Sequence, residues 1–254
     1  MDVPGGALAG HIYVGTCGWD YPHWRADFYA GAPRKEWLRL YATHLPAVEL
    51  NASFYHLLPR TTFERWAEQT PASFRFSVKG NRFVTHSKKL KDPVAPIALE
   101  RERAAGLGSK LAVVLWQTPG NLRKDAGRLR EFAEALAAWP AVRHALEFRS
   151  KEWFTGEIAD CLSQHGLANC LSDAADWPLW DAVTTDLVYV RLHGHEATYA
   201  SPYATVQLRE WARRARSWLE EGREVHAYFD NDALGAAPRD ARRLLEMLGG
   251  DDRA

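Results

Sequence analysis

The chain has little cysteine. Cys17, Cys161 and Cys170 are an odd number with no CxxC pair, which argues against both a disulfide framework and a thiolate metal knuckle. It has no excess charge either: 32 Lys and Arg face 32 Asp and Glu. The field of the whole molecule therefore attracts neither nucleic acid nor membrane, and only a local basic cleft could do so. No apolar run approaches the roughly 18 residues that a membrane span needs. Residues 1–10 carry Asp2 and neither Lys nor Arg, so the basic start of a secretory signal is missing. The expectation is a reduced, cytoplasmic protein with no membrane partner.

What the chain does have is tryptophan, 11 in 254 residues, within an ordinary composition of 46% apolar and 25% charged side chains. A chain of this length buries about 70–75% of its unfolded surface, enough for a core without staples. Eight short runs rich in Val, Tyr and Phe begin near Ile12, Ala47, Phe74, Leu111, His144, Ala168, Leu187 and Glu224. Such runs suit strands. The stretches between them carry helical signals. Thr61-Thr62-Phe63-Glu64 has the spacing of a capping box. Leu129, Phe132, Ala133 and Leu136 share one helical face between Leu122 and Trp139. Val206 to Leu219 and Pro238 to Leu248 are similar, and Gly249-Gly250 closes the last.

Strand–helix alternation repeated eight times predicts an α/β fold, a TIM-type (β/α)8 barrel. It would occupy residues 11–250 as a single domain behind a flexible tail over residues 1–10. A doubly wound open sheet is the competing architecture. So few residues separate the sixth run from the seventh that the helix between them, around Trp177 to Val183, must be short or degenerate.

Strands of a parallel sheet are covered on both faces and normally read as continuous apolar runs. Several here alternate instead. Glu49 and Asn51 interleave with Val48 and Leu50, and Arg75, Ser77 and Lys79 with Phe74, Phe76 and Val78. Glu147 and Arg149 do so with Leu146 and Phe148. Tyr189, Arg191 and His193 interleave with Val188, Val190 and Leu192, and His226, Tyr228 and Asp230 with Ala227 and Phe229. Period two puts each polar set on one face. With the apolar set against the helices, the polar set points into the barrel. Its position late in each strand places it at the carboxyl end, where barrel enzymes keep their chemistry. Trp19, Trp24, Tyr55, His56, His86, Trp153, Trp177 and Trp180 follow successive strands, and flat aromatic walls at a mouth suit sugars or nucleobases. Trp37, Trp66, Trp139, Trp211 and Trp218 fall in helical stretches and should pack on the barrel.

These segments resemble the YecE-like family, known as domain of unknown function 72. The resemblance lies in Gly15-Thr16-Cys17-Gly18-Trp19 with Tyr21 and Trp24, and in Val48-Glu49-Leu50-Asn51-Ala52-Ser53-Phe54-Tyr55. It continues through Phe74-Arg75-Phe76-Ser77-Val78-Lys79 with Thr85-His86, Gln117-Thr118-Pro119, and Leu146-Glu147-Phe148-Arg149 with Trp153. Tyr189-Val190-Arg191-Leu192-His193-Gly194 and Tyr228-Phe229-Asp230-Asn231-Asp232 complete it. The resemblance implies a TIM-type barrel and supplies no activity. Cys17 departs from the usual Ser, Gly120 from a common Pro, and Lys151-Glu152 from a His-containing stretch.

The candidate roles are those of an enzyme with hydrolase-like acid–base chemistry on a small or nucleotide-like anionic ligand. Glu49 and Glu147 would transfer protons, unless lumen cations neutralise them in a structural network. Lys79, Arg149 and Arg191 would clamp the anion. Asn51, Gln117 and His193 would orient it, with His193 also counted as catalytic. Trp19, Trp24 and Trp153 would stack on its flat part, and Tyr55, His86, Asp173, Tyr228 and Asn231 complete the expected binding set. No cofactor is expected. A divalent metal held by His86, His193 or His195 with Glu49, Glu147 or Asp173 is the minor alternative. A non-catalytic binder of nucleic acid or a nucleotide is the other function considered. Cys17 reads as a small buried thiol.

Overall fold

Each of the eight apolar runs forms a strand: β1 (His11–Cys17), β2 (Ala47–Leu50), β3 (Arg75–Lys79), β4 (Leu111–Gln117), β5 (Arg143–Glu147), β6 (Leu167–Asp173), β7 (Leu187–Leu192) and β8 (Glu224–Phe229). They pair in parallel and in chain order, and β8 closes on β1. Closure decides between the two expected architectures, because Tyr13 pairs with His226 and Gly15 with Tyr228 where an open sheet would leave two edges. The structure, a computed structural model, describes residues 10–249. Apart from Gly10, the expected tail therefore lies outside the described residues.

The helices are α1 (Trp37–His44), α2 (Ala52–Tyr55), α3 (Arg60–Glu68), α4 (Val94–Ala104), α5 (Ala126–Leu136), α6 (Gly156–Gln164), α7 (Thr205–Glu220) and α8 (Ala236–Gly249). α5 starts where Asp125 accepts a hydrogen bond from the Arg128 backbone N–H at 2.9 Å, and it buries Leu129, Phe132, Ala133 and Leu136 as expected. The start of α3 differs. Pro59, extended at φ −68°, occupies the N-cap, so Thr61 already lies inside the helix and no capping box forms. Glu64 instead accepts from Arg60 Nε at 2.9 Å.

No helix forms between β6 and β7. Residues 174–186 run as a strap pinned to the strand beside it. Asn169 Nδ2 donates to the carbonyls of Trp180 and Ala182 at 3.1 and 3.0 Å, and Thr184 Oγ1 donates to Leu167 O at 2.7 Å. The helix expected between β6 and β7 is thus absent, the limit of the degeneracy expected.

Val48, Phe76, Val114, Leu146, Val190 and Phe229 face the helices in one continuous apolar cluster. A second cluster, including Ala47, Val113, Leu115, Ala145, Ala168 and Tyr189, fills the lower lumen. Of the tryptophans in helical stretches, Trp37, Trp139, Trp211 and Trp218 are buried and Trp66 is half-buried. The lumen plug has a functional consequence: it separates Arg75, Arg143 and Glu224 at the amino ends of their strands from the charged side chains at the carboxyl end.

Candidate functional site

The charged groups converge on one guanidinium. Arg191 points inward from β7 and is 0% exposed. Its Nε and Nη2 donate to the two oxygens of Glu49 at 3.1 and 2.9 Å. Nη1 donates to Glu147 at 2.8 Å and Nη2 to Asp230 at 3.0 Å. Three acids from β2, β5 and the segment after β8 therefore share one fork, which suits a planar five-donor group. Burial opposes the charge on Arg191, but Glu49 and the other acids outweigh it and hold the group charged.

Both glutamates are fully buried and otherwise engaged. Tyr189 OH donates to Glu49 at 2.7 Å, and Ser172 Oγ donates to Glu147 at 3.1 Å. Arg149 Nε also donates to Glu147. Burial alone would raise the Glu147 pKa, yet Arg149 and then Arg191 hold it well below the usual carboxylate range. Glu49 and Glu147, expected to exchange protons with a ligand, are thus both bonded to Arg191, and Glu147 to Arg149 as well. Arg191, expected in the anion clamp, has all of its nitrogens bonded within the protein.

The groups with access to solvent form a ring above this layer. Lys79, the last residue of β3, is 9% exposed, and its Nζ lies 4.3 Å from the centroid of the Phe54 ring. It has no hydrogen bond or ion pair among the described residues. Burial and then Arg191 lower its pKa. The Arg149 guanidinium lies 3.6 Å over the Trp177 ring, and its two terminal nitrogens make no hydrogen bond among the described residues. Gln117 donates to Thr118 O at 2.8 Å, and Asn51 Nδ2 to Cys17 O at 3.4 Å. The Asn51 Oδ1 is buried and unpartnered.

Asp230 stands at the edge of this ring. Its Oδ2 is 3.0 Å from His193 Nδ1. Burial favours its protonation, but Arg191 and then His193 keep it ionised. His193 itself is 0% exposed, lying under the half-buried Trp177 at 5.0 Å and the exposed Tyr199 at 5.4 Å. Gly194 lets the chain turn away directly after it. At φ +104° a Cβ there would lie 2.5 Å from Ala197 O, so the sharp exit from β7 requires glycine.

Several expected ligand contacts lie elsewhere. Trp153 is 0% exposed, stacked on Phe148, with its indole N–H bonded to Leu122 O at 2.9 Å. Trp24 is buried, its indole bonded to Asp232 at 2.7 Å. Trp19 packs edge-on against Trp66 at 5.2 Å. Tyr228 lies deeper in the lumen, bonded to Ser77 and His226 at 2.8 and 2.9 Å. Asn231 fastens Ser201 O and Asp240, at 3.0 and 2.9 Å, beneath the mouth. Asp173 faces outward, accepting from Tyr203 OH at 2.9 Å beside His195. Tyr55 is exposed on α2, and half-buried His86 packs its ring against Phe54 at 5.1 Å.

Ser172 and Phe54 were missed as contributors to the site. Alternation along β6 points Ala168, Cys170 and Ser172 inward and Asp173 outward, a signal present in the sequence. Cys17 is buried as expected, its thiol pushed up by burial, then by Asp230 and Glu49. The candidate metal ligands are split between the hub, the Phe54 ring and the outer face. Among the described residues no group of three His, Cys, Asp or Glu side chains is placed to hold a metal. No helix among the described residues is long and apolar enough to cross a membrane.

Comparison with known proteins agrees with the architecture. The chain is 26% identical to the UPF0759 protein YunF of Bacillus subtilis (strain 168), over 93% of this chain and 94% of that protein. A crystal structure of a DUF72 family protein from Thermotoga maritima superposes with a TM-score of 0.83 at 26% identity, covering 94% of this chain and all of that one. One from Enterococcus faecalis has a TM-score of 0.82 at 20% identity, covering 95% and 97%. The family model described as protein of unknown function DUF72 matches residues 13–254, and the chain belongs to that family.

Proposed function

We propose that this protein is an enzyme that takes a small anionic ligand, a phosphate or carboxylate on a molecule up to nucleotide size, at the open end of the barrel. It would work on that ligand by acid–base chemistry. The observation that carries the proposal is a contrast between engaged and free charge. Glu49, Glu147 and Arg191 bond one another, whereas Lys79 Nζ and the terminal nitrogens of Arg149 have no partner among the described residues. Arg149 would hold the anion through its free fork, the planar geometry that suits phosphate and carboxylate. The carboxylate pair that made hydrolase-like chemistry the first expectation is tied up. Proton transfer falls instead to Asp230, whose Oδ1 is unbonded among the described residues, beside His193.

The test is calorimetric titration with inorganic phosphate. The unmodified protein should bind it, and Arg149→Met should weaken binding by about tenfold or more, the loss of one charge-assisted contact. Absent binding, or binding unchanged in Arg149→Met, would overturn the proposal. Single-stranded oligonucleotide binding with a steep salt dependence and no product would favour the nucleic-acid-binding alternative instead.

A further inference from the structure

We propose that Lys79 is an imine-forming nucleophile, so that the ligand of the mouth is a small anionic carbonyl compound, either a 2-oxo carboxylate or a phosphorylated ketone or aldehyde. This rests on the anion-binding mouth proposed above and names its substrate class. Arg149 holds the anionic group while Lys79 attacks the carbonyl.

Lysine is rarely buried unless paired, and three carboxylates share this lumen, yet all three turn to Arg191. Lys79 is left facing an aromatic ring, more than nine-tenths buried and without a partner among the described residues. A group meant only to bind anions works best fully charged. Burial and the nearby Arg191 instead favour the free amine, the form that is nucleophilic and that desolvated lysines supply in imine chemistry.

The position is also fixed. Ser53 Oγ contacts Lys79 O at 2.8 Å, tying α2 and its Phe54 to the end of β3. Gly80 follows because a Cβ there would lie 2.4 Å from the Trp116 ring. His86 packs against the same Phe54, with Nδ1 bonded to Thr85 Oγ1 at 2.9 Å and Nε2 unbonded among the described residues. Burial and then Lys79 lower its pKa, which leaves a neutral imidazole able to relay protons.

The step balances without an oxidant or reductant. The lone pair of the Lys79 Nζ forms the C–N bond as the carbonyl π pair moves onto oxygen. A nitrogen proton passes through His86 or Asp230 to that oxygen, giving a carbinolamine. Protonation of its hydroxyl lets it leave as water while the nitrogen lone pair closes the C=N bond. The amine and the carbonyl, with one proton, give an iminium ion and one water.

The experiment incubates the full chain with pyruvate, and separately with dihydroxyacetone phosphate, in the presence of sodium cyanoborohydride, followed by peptide mapping by mass spectrometry. One reduced adduct per chain is expected, at Lys79, with labelling well above any other lysine, since Lys79 is buried beside the anion site and its free amine is favoured by burial and Arg191. Excess inorganic phosphate should suppress it. Lys79→Arg should abolish the adduct, and Lys79→Met serves if the arginine does not fold. No adduct with either compound, labelling spread over surface lysines, or an adduct that survives Lys79→Arg overturns the proposal. If phosphate still binds while no adduct forms, the imine falls and the anion site stands; loss of both removes both.

Discussion

Arg191 Nη1 and Glu147 Oε2 lie 2.8 Å apart with neither side chain exposed to solvent. The pair spans the lumen from β7 to β5, and the same carboxylate carries Arg149 and Ser172. A buried charge that loses its partner costs far more than an exposed one. Glu147→Gln should therefore destabilise the protein by about 3–5 kcal/mol, the range for breaking buried pairs, as read by urea unfolding. A change below about 1 kcal/mol, the size of an exposed pair, would contradict the hub.

The aromatic residues of the mouth divide into two kinds, and mutation should separate them. Trp153, sealed against Phe148, belongs to the core. Trp153→Ala should cost about 3–5 kcal/mol of stability and leave phosphate affinity unchanged in calorimetry. Trp177, under Arg149, should behave in the opposite way. Trp177→Ala should weaken phosphate binding several-fold, since a cation–π contact contributes about 0.5–2 kcal/mol, with a smaller effect on the unfolding midpoint.

How much of this was legible in the sequence follows from what period two can and cannot reveal. Alternation in β2, β5 and β7 was enough to send Glu49, Glu147 and Arg191 into one lumen, because a strand buried on both faces must justify every polar residue. It could not reveal their pairing. Which acid meets which cation depends on barrel register, Glu147 standing beside Gln117 and Arg191 beside Ser172 and Tyr228. Trp24 and Trp153 follow strands just as Trp177 does. Their inward turn depends on the 3-10 turns Pro22–Trp24 and Lys151–Trp153, which sequence spacing does not announce. Asp173 was misplaced although its parity with Ser172 was readable. The missing helix between β6 and β7 was half legible: the segment was too short for a regular crossover, but the Asn169 clamp that replaces it is a tertiary contact.

Glu100, on α4, provides a pH-dependent test. Both its oxygens accept from the Asn81 backbone N–H at 3.0 Å. Burial pushes its pKa up to about 8 from an ordinary 4.5, with that hydrogen bond opposing. Because the folded state holds this proton more tightly than the unfolded chain, the associated stability is fully present below pH 4.5 and is lost as pH rises to about 8. Glu100→Gln should flatten the stability–pH curve across that window by up to about 5 kcal/mol. Parallel curves for the two proteins in denaturant titrations would show that Glu100 ionises freely.

The thiols should be inert. Burial, the largest cause in both, raises Cys17 and Cys170 well above the usual thiol range, and thiolate is the reactive form. Iodoacetamide should label neither in the native protein and all three cysteines after denaturation, as counted by intact mass. Stoichiometric native labelling of Cys17 would restore it as a candidate nucleophile.

The most direct test of an anion-binding mouth uses the indole N–H resonance of Trp177, identified by its loss in Trp177→Phe. Trp177 donates that N–H to Ser172 Oγ at 2.9 Å while its ring lies under Arg149. Titration with inorganic phosphate should shift this resonance saturably and leave that of buried Trp153 in place. A Trp177 signal that stays fixed while phosphate binds elsewhere, or no response at any concentration that preserves the fold, would contradict the account.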